Sequence, residues 1–206
     1  MRSAGAVISA GWNFSCVVTT SGAAAGWGNN FNGELGYGTG PSFRVPQPVS
    51  GLSSSVAKIS AGGPSACAGL TNGGVKCCGS NSLGSLGQGG TIASSLTPVD
   101  TLPLSAAAVS VGTNNYNVCA LPVTGEAKCW GYNAFGQMGD GLTIHRTSPV
   151  TPIGLGSNVV GVSVGTQFAC ALLNSGTIKC WGDIRPGRCA TAPWALRRRQ
   201  RATQQG

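Results

Sequence analysis

The side chains with the most chemistry in this 206-residue chain are its nine cysteines. Six of them stand in three pairs ten residues apart: Cys67 and Cys77, Cys119 and Cys129, Cys170 and Cys180. Thiols in that pattern could form disulfides, bind a metal or act as nucleophiles. A metal site needs clustered ligands, yet the chain has no Cys-x-x-Cys spacing and a single histidine, His145. Between the pairs lies turn chemistry: Thr71-Asn72-Gly73-Gly74, Thr124-Gly125-Glu126 and Asn174-Ser175-Gly176. Asparagine and glycine tolerate the positive φ that a tight hairpin demands. Residues symmetric about such a turn face each other with Cα atoms about 4.5–5.5 Å apart, within disulfide reach. Three intra-repeat bridges are expected, and buried free thiols packing as small apolar groups are the alternative. No metal and no cofactor are expected.

The remaining polar residues do not assemble a catalytic set. The five carboxylates are Glu34, Asp100, Glu126, Asp140 and Asp183, and most fall at turn positions. Asp140 lies between Gly139 and Gly141, where its natural task is turn formation. The spacing of Gly33, Gly36 and Gly38 superficially suits a phosphate loop, but it recurs along the chain with no helical pattern after it, so β-turns are expected. His145 has no serine or cysteine partner in a nucleophile motif and reads as a loop residue. No enzyme activity is expected.

These residues are positioned by a repeat. The first cysteines fall at 16, 67, 119 and 170, a period of about 51 residues, with Cys16 followed by a degraded second half, Gly26-Trp27-Gly28. Each unit opens on an apolar-Ser-apolar-Gly step: Ile8-Ser9-Ala10-Gly11, Ile59-Ser60-Ala61-Gly62, Val109-Ser110-Val111-Gly112 and Val162-Ser163-Val164-Gly165. Each later closes on Cys-Trp-Gly or its variant, as in Cys129-Trp130-Gly131, Cys180-Trp181-Gly182 and Cys77-Cys78-Gly79. Glycine-rich runs follow, then the pairs Pro48-Val49, Pro98-Val99 and Pro149-Val150. Within the units apolar residues alternate, as Ala127 and Cys129 do around Lys128, which indicates strands. Several short strands per unit with turns between them fit one propeller blade.

The run from Val109 to Ile153 is the cleanest copy, and it resembles the repeat of the regulator of chromosome condensation family in its secreted, cysteine-paired bacterial variety. The resemblance implies an all-β fold of radially arranged four-stranded antiparallel blades, normally seven when complete. The chain then holds about three and a half: repeats at 1–55, 56–105 and 106–157, a truncated repeat at 158–183, and a basic tail at 184–206. Two departures stand out: two extra residues between Gly112 and Cys119, and Cys78 in place of tryptophan. The tail reads as frameshifted and disordered, because Ala190-Thr191-Ala192-Pro193 can be encoded by bases that spell the expected Asp-Gly-Thr in another frame. A fragment of a longer protein is expected, with self-association of two half-rings as the alternative.

Charge and compartment narrow the function. The formal charge of +8 invites a nucleic-acid reading, but six of thirteen basic residues follow Asp183. Residues 1–183 carry seven basic and five acidic groups, so no nucleic-acid partner is expected. Disulfides would place the parent protein outside the cytosol, at the cell surface or secreted. No signal peptide is visible, since Val7 to Gly11 already belongs to the repeat, and no apolar run is long enough for a membrane span. Trp27, Trp130 and Trp181 recur at one blade position and are expected to pack between blades. Trp12 lies in a string resembling a motif of the plant ultraviolet-B photoreceptor, but one such tryptophan does not make a chromophore. Asn13-Phe14-Ser15 is a glycosylation sequon, of consequence only in a eukaryotic secretory host. The expected function is protein–protein recognition by a non-catalytic propeller, with Phe31, Tyr37, Tyr116 and Phe135 as candidate contact residues for an unidentified protein partner. The alternatives are guanine-nucleotide exchange on a small GTPase, implied by the family's nuclear member, and inhibition of a secreted enzyme, implied by an inhibitor sharing the propeller.

Overall fold

A computed structural model of the chain describes residues 7–90, 92–104 and 107–183. Among these residues there is no helix, only fifteen strands in four antiparallel sheets. Blade 1 is β1 (Val7–Ala10), β2 (Phe14–Val18), β3 (Ala24–Gly28) and β4 (Phe43–Pro48). Blade 2 is β5 (Val56–Ala61), β6 (Ser65–Leu70), β7 (Val75–Ser80) and β8 (Ser94–Asp100). Blade 3 is β9 (Ala108–Asn114), β10 (Asn117–Pro122), β11 (Lys128–Gly131) and β12 (Arg146–Val150). Blade 4 has three described strands, β13 (Val159–Val164), β14 (Phe168–Leu173) and β15 (Ile178–Gly182). In every sheet the strands lie side by side in chain order, so each blade is a meander. The tail at 184–206 lies outside the described residues.

The first strand of each blade packs on the first strand of the next, β1 on β5, β5 on β9 and β9 on β13. Those inner strands therefore line the hub and the fourth strands lie at the rim. The serine of the opening step explains part of this geometry. Ser9 Oγ accepts from the Ala61 amide at 3.0 Å, and Ser60 Oγ accepts from the Thr113 amide at 3.0 Å, each one blade on. At the rim, Pro48, Pro98 and Pro149 sit in β4, β8 and β12. Proline has no N–H to offer a neighbour, which suits an edge strand and blunts its pairing with other chains.

The hydrophobic core is three layers, one at each junction between blades. Phe14, Cys16, Leu35, Ile59 and Cys78 pack between blades 1 and 2. Cys67, Leu86, Val118 and Trp130 pack between blades 2 and 3, and Cys119, Met138, Ala169 and Trp181 between blades 3 and 4. Burial within strands follows from this stacking. In β2 buried residues alternate with half-buried ones, as they do where a sheet is covered on one face. All six residues of β10 are buried, as are five of six in β6, because blades 2 and 3 are flanked on both sides. Repeat proteins bury their cores this way, unit against unit.

Candidate interaction face and inter-blade seams

An antiparallel meander sends its first-to-second and third-to-fourth loops out of one end of the sheet and its second-to-third turns out of the other. The long third-to-fourth loops of that first end are built on Asn30, Asn81 and Asn133, all fully or nearly buried. Each side-chain oxygen accepts an amide five residues on: Leu35 at 2.8 Å, Leu86 at 3.0 Å and Met138 at 2.8 Å. Each side-chain nitrogen donates across the loop, Asn30 to the Thr39 carbonyl at 2.6 Å and Asn81 to that of Ile92 at 2.9 Å. Asn133 donates to two carbonyls, Leu142 at 3.1 Å and Ile144 at 3.0 Å. These asparagines recur at the repeat period, and that recurrence was the signal for a role that local turn chemistry does not reveal.

Further side chains brace the same loops. The buried Glu34 carboxylate accepts from Asn29 Nδ2 at 2.6 Å and from the Asn32 amide at 2.8 Å. Gln137 takes the equivalent role in blade 3, its Oε1 accepting the Phe135 amide at 2.9 Å. Asp140 does shape a turn, accepting the Leu142 amide at 3.1 Å, and it also pairs with Arg146 at 2.5 Å. His145 accepts the Asn133 amide at its Nδ1 (3.1 Å) and lies against Tyr132. Glu34, Asp140 and His145 thus serve the loop scaffold, and no group of three potential ligands able to hold a metal occurs among the described residues.

The four aromatic residues singled out in the sequence all lie on this loop face, though they do not converge on one spot. Phe31 stands at a loop tip, 89 % exposed. Tyr37 is half-buried, edge-on to Phe43 with its hydroxyl donating to the Pro41 carbonyl. Phe135 is half-buried against Tyr132. Tyr116 meets Trp12 edge-to-face with ring centroids 6.5 Å apart, and Trp12 is 60 % exposed. This contact joins blade 1 to blade 3 over the Gly62-Gly63-Pro64 loop of blade 2. The two extra residues of repeat three are taken up by the strands, carrying β9 to Asn114 and setting Gly112 opposite Cys119. The β9–β10 hairpin therefore projects further on a two-residue turn, and Asn115 in that turn takes φ +49° directly above Gly63. Trp12, set aside as a chromophore residue, thus becomes part of the exposed aromatic surface of the face.

The seams between blades are made by the recurring tryptophan position. Trp130 is fully buried and its Nε1 donates to the Ser85 carbonyl of blade 2 at 2.9 Å. Trp181 repeats this one blade on, donating to the Gln137 carbonyl at 2.6 Å. Gly87 and Gly139, at φ +67° and +68°, leave room for these rings, since a Cβ on either would stand within 3 Å of indole atoms. Cys78 occupies the same place in blade 2, its Sγ donating to the Glu34 carbonyl at 3.4 Å. Trp27 is half-buried, with no blade before it among the described residues.

The ten-spaced cysteines pair across the second and third strands of their blades, in register opposite one another, with Cα atoms 4.1 Å apart in each. All three pairs are at disulfide distance. Cys16 and Cys78 are buried free thiols. Cys189 lies outside the described residues.

Stacked four-stranded meanders with tryptophan seams define a β-propeller, here a partial one. Residues 7–34, 21–68 and 125–172 match the Regulator of chromosome condensation (RCC1) repeat, and the chain belongs to that repeat family. It is 28 % identical over 180 residues to the Homo sapiens E3 ubiquitin-protein ligase HERC2, a match over 85 % of this chain and 4 % of the ligase. It is 31 % identical over 140 residues to the Danio rerio protein RCC2 homolog, over 66 % of this chain and 28 % of the relative. Prp20p from Saccharomyces cerevisiae, whose structure is described with its binding to Gsp1p and histones, superimposes with a TM-score of 0.74 at 18 % identity. That match covers 85 % of this chain and 44 % of Prp20p, so the chain spans under half of each of these proteins.

Proposed function

We propose that the chain is a non-catalytic recognition propeller that binds a protein partner through the loop face carrying Trp12, Phe31 and Tyr116. The carrying observation is Phe31, a large apolar ring almost wholly in water on a loop whose base is pinned by Asn30 and Glu34. Aromatic side chains held on a rigid scaffold supply contact area at little entropic cost, and such residues dominate interface energetics. A nucleic-acid partner fits less well. Of the six basic residues between 7 and 183, Lys76, Lys128 and Arg146 are already paired with Asp100, Glu126 and Asp140. The three cysteine pairs at disulfide distance support an extracellular or surface location for the parent protein.

Exchange activity on a small GTPase is the second reading, favoured by the fold shared with Prp20p and its binding to Gsp1p. Inhibition of a secreted enzyme would use the same aromatic loops. Affinity capture against extracellular proteins, run beside nucleotide-release assays on small GTPases and activity assays on secreted hydrolases, separates the three. The recognition reading expects a discrete bound protein that Trp12→Ala with Phe31→Ala abolishes and Asn174→Ala, at the opposite end of blade 4, leaves intact. Accelerated nucleotide release would replace it with the exchange reading.

A further inference from the structure

Two changes to the repeat fall on the same seam. In blades 2, 3 and 4 the second and third strands are joined at the cysteine pair, but in blade 1 the residue opposite Cys16 is Gly26. At the other two seams a tryptophan of the following blade shares a core layer with the cysteine pair of the preceding one: Trp130 with Cys67 and Cys77, Trp181 with Cys119 and Cys129. At the seam between blades 1 and 2 that tryptophan is Cys78, and it shares its layer with Cys16. Cys16 has thus lost its partner within the hairpin, and the position that faces the hairpin from the next blade has become a cysteine. Cys16 and Cys78 also line one small cavity of about 10 Å³ beside Leu35, so the two thiols border the same slack in that layer.

We propose that Cys16 and Cys78 form a fourth disulfide, one that runs between blades 1 and 2 instead of within a hairpin. The reaction is thiol–disulfide exchange with a small-molecule disulfide such as oxidised glutathione. A thiolate from one cysteine attacks it, releasing one glutathione thiol and leaving a mixed disulfide. The second cysteine thiolate then displaces the other glutathione, so two protein thiols are oxidised and two glutathione thiols are produced. Cys78 gives up its hydrogen bond to the Glu34 carbonyl as the S–S bond forms. Bridge formation belongs to folding. In the closed seam burial pushes the Cys16 thiol up to about 12. Little of it is then present as the thiolate that attacks a disulfide. Before blade 2 closes on blade 1 both thiols are exposed and reactive.

The test is oxidative refolding of the full chain from the reduced, denatured state in a glutathione redox buffer at pH 8, followed by alkylation in denaturant and non-reducing peptide mapping. Because Cys77 and Cys78 are adjacent, the same mapping is done on Cys67→Ala/Cys77→Ala, in which any link to Cys78 is unambiguous; if that variant does not refold, fragmentation of the linked wild-type peptides assigns the bond. The expected result is a Cys16–Cys78 linkage in most molecules beside the three hairpin bridges. Chain already folded with both thiols reduced should acquire that link at least a hundredfold more slowly. Recovery of Cys16 and Cys78 as fully alkylated residues after refolding, or linkage of Cys16 to any other cysteine, would overturn the proposal.

Discussion

Trp27 and Trp130 hold the same place in their blades, so alanine at each should measure what the preceding blade contributes. Trp130 is wholly buried, and its ring fills the space above Gly87 and donates to the Ser85 carbonyl. Burying a whole indole removes roughly 200 Å² from water, about 5 kcal/mol by area. Measured tryptophan-to-alanine changes in cores cost about 3–5 kcal/mol, to which the orphaned carbonyl adds about 1 kcal/mol. Trp130→Ala should therefore cost about 5 kcal/mol. Trp27 is half-buried and no indole hydrogen bond to another blade holds it among the described residues, so Trp27→Ala should cost about 2 kcal/mol. At about 2–4 °C per kcal/mol for a chain of this size, the midpoints should fall by roughly 15 °C and 5 °C. Thermal unfolding followed by circular dichroism, with disulfides intact, reads both. Equal losses, or a larger loss at Trp27, would refute the claim that the tryptophan acts across the seam.

Four further outcomes are expected. Asn133→Ala strands the buried Met138 amide and two carbonyls, and should cost about 2–4 kcal/mol in urea unfolding. Reducing the hairpin bridges should lower the midpoint, since each closes a short loop contributing about 3 kcal/mol, and Cys119→Ala/Cys129→Ala should reproduce about a third of that loss. For chain with Cys16 reduced, the folded-state pKa of about 12 lies above the unfolded value, so the stability from this thiol is complete below pH 9 and is lost as pH rises toward 12; Cys16→Ala should flatten that part of the pH profile in parallel unfolding titrations. Ile8, Leu172 and Ile178 leave apolar surface exposed on the outer blades, so sedimentation should show concentration-dependent self-association of the purified chain that Ile8→Lys and Ile178→Lys reduce.

Much of the fold was legible because a period survives in sequence when each unit solves the same packing problem. The cysteine spacing located the hairpins, and the Cys-Trp-Gly position located the seams. Less visible was anything set by a neighbour blade. Strand alternation pointed to one buried face, yet β6 and β10 are covered on both, a property of position in the stack that no local pattern contains. The serines were seen to recur, but their partners lie 52 and 53 residues away, and the loop asparagines take theirs from across a loop. The four candidate aromatics share a face because meander topology sends their loops the same way. That Trp12 joins Tyr116 follows from the extended β9–β10 hairpin, whose turn reaches over blade 2. Cys78 looked like the loss of a tryptophan, and only the stacking of blade 2 on blade 1 brings it into one core layer with Cys16.

The recognition claim is tested most directly by site-specific photo-crosslinking. A photoreactive phenylalanine analogue is placed at Phe31 on the loop face or at Ser175 in the opposite turn, and the chain is irradiated with secreted proteins from its source. The account predicts a discrete adduct from position 31, removed by excess unlabelled chain and retained when the competitor carries Trp12→Ala, Phe31→Ala and Tyr116→Ala. Adducts arising from position 175 instead, or adducts from position 31 that the triple variant competes away as well as the wild type does, would contradict it.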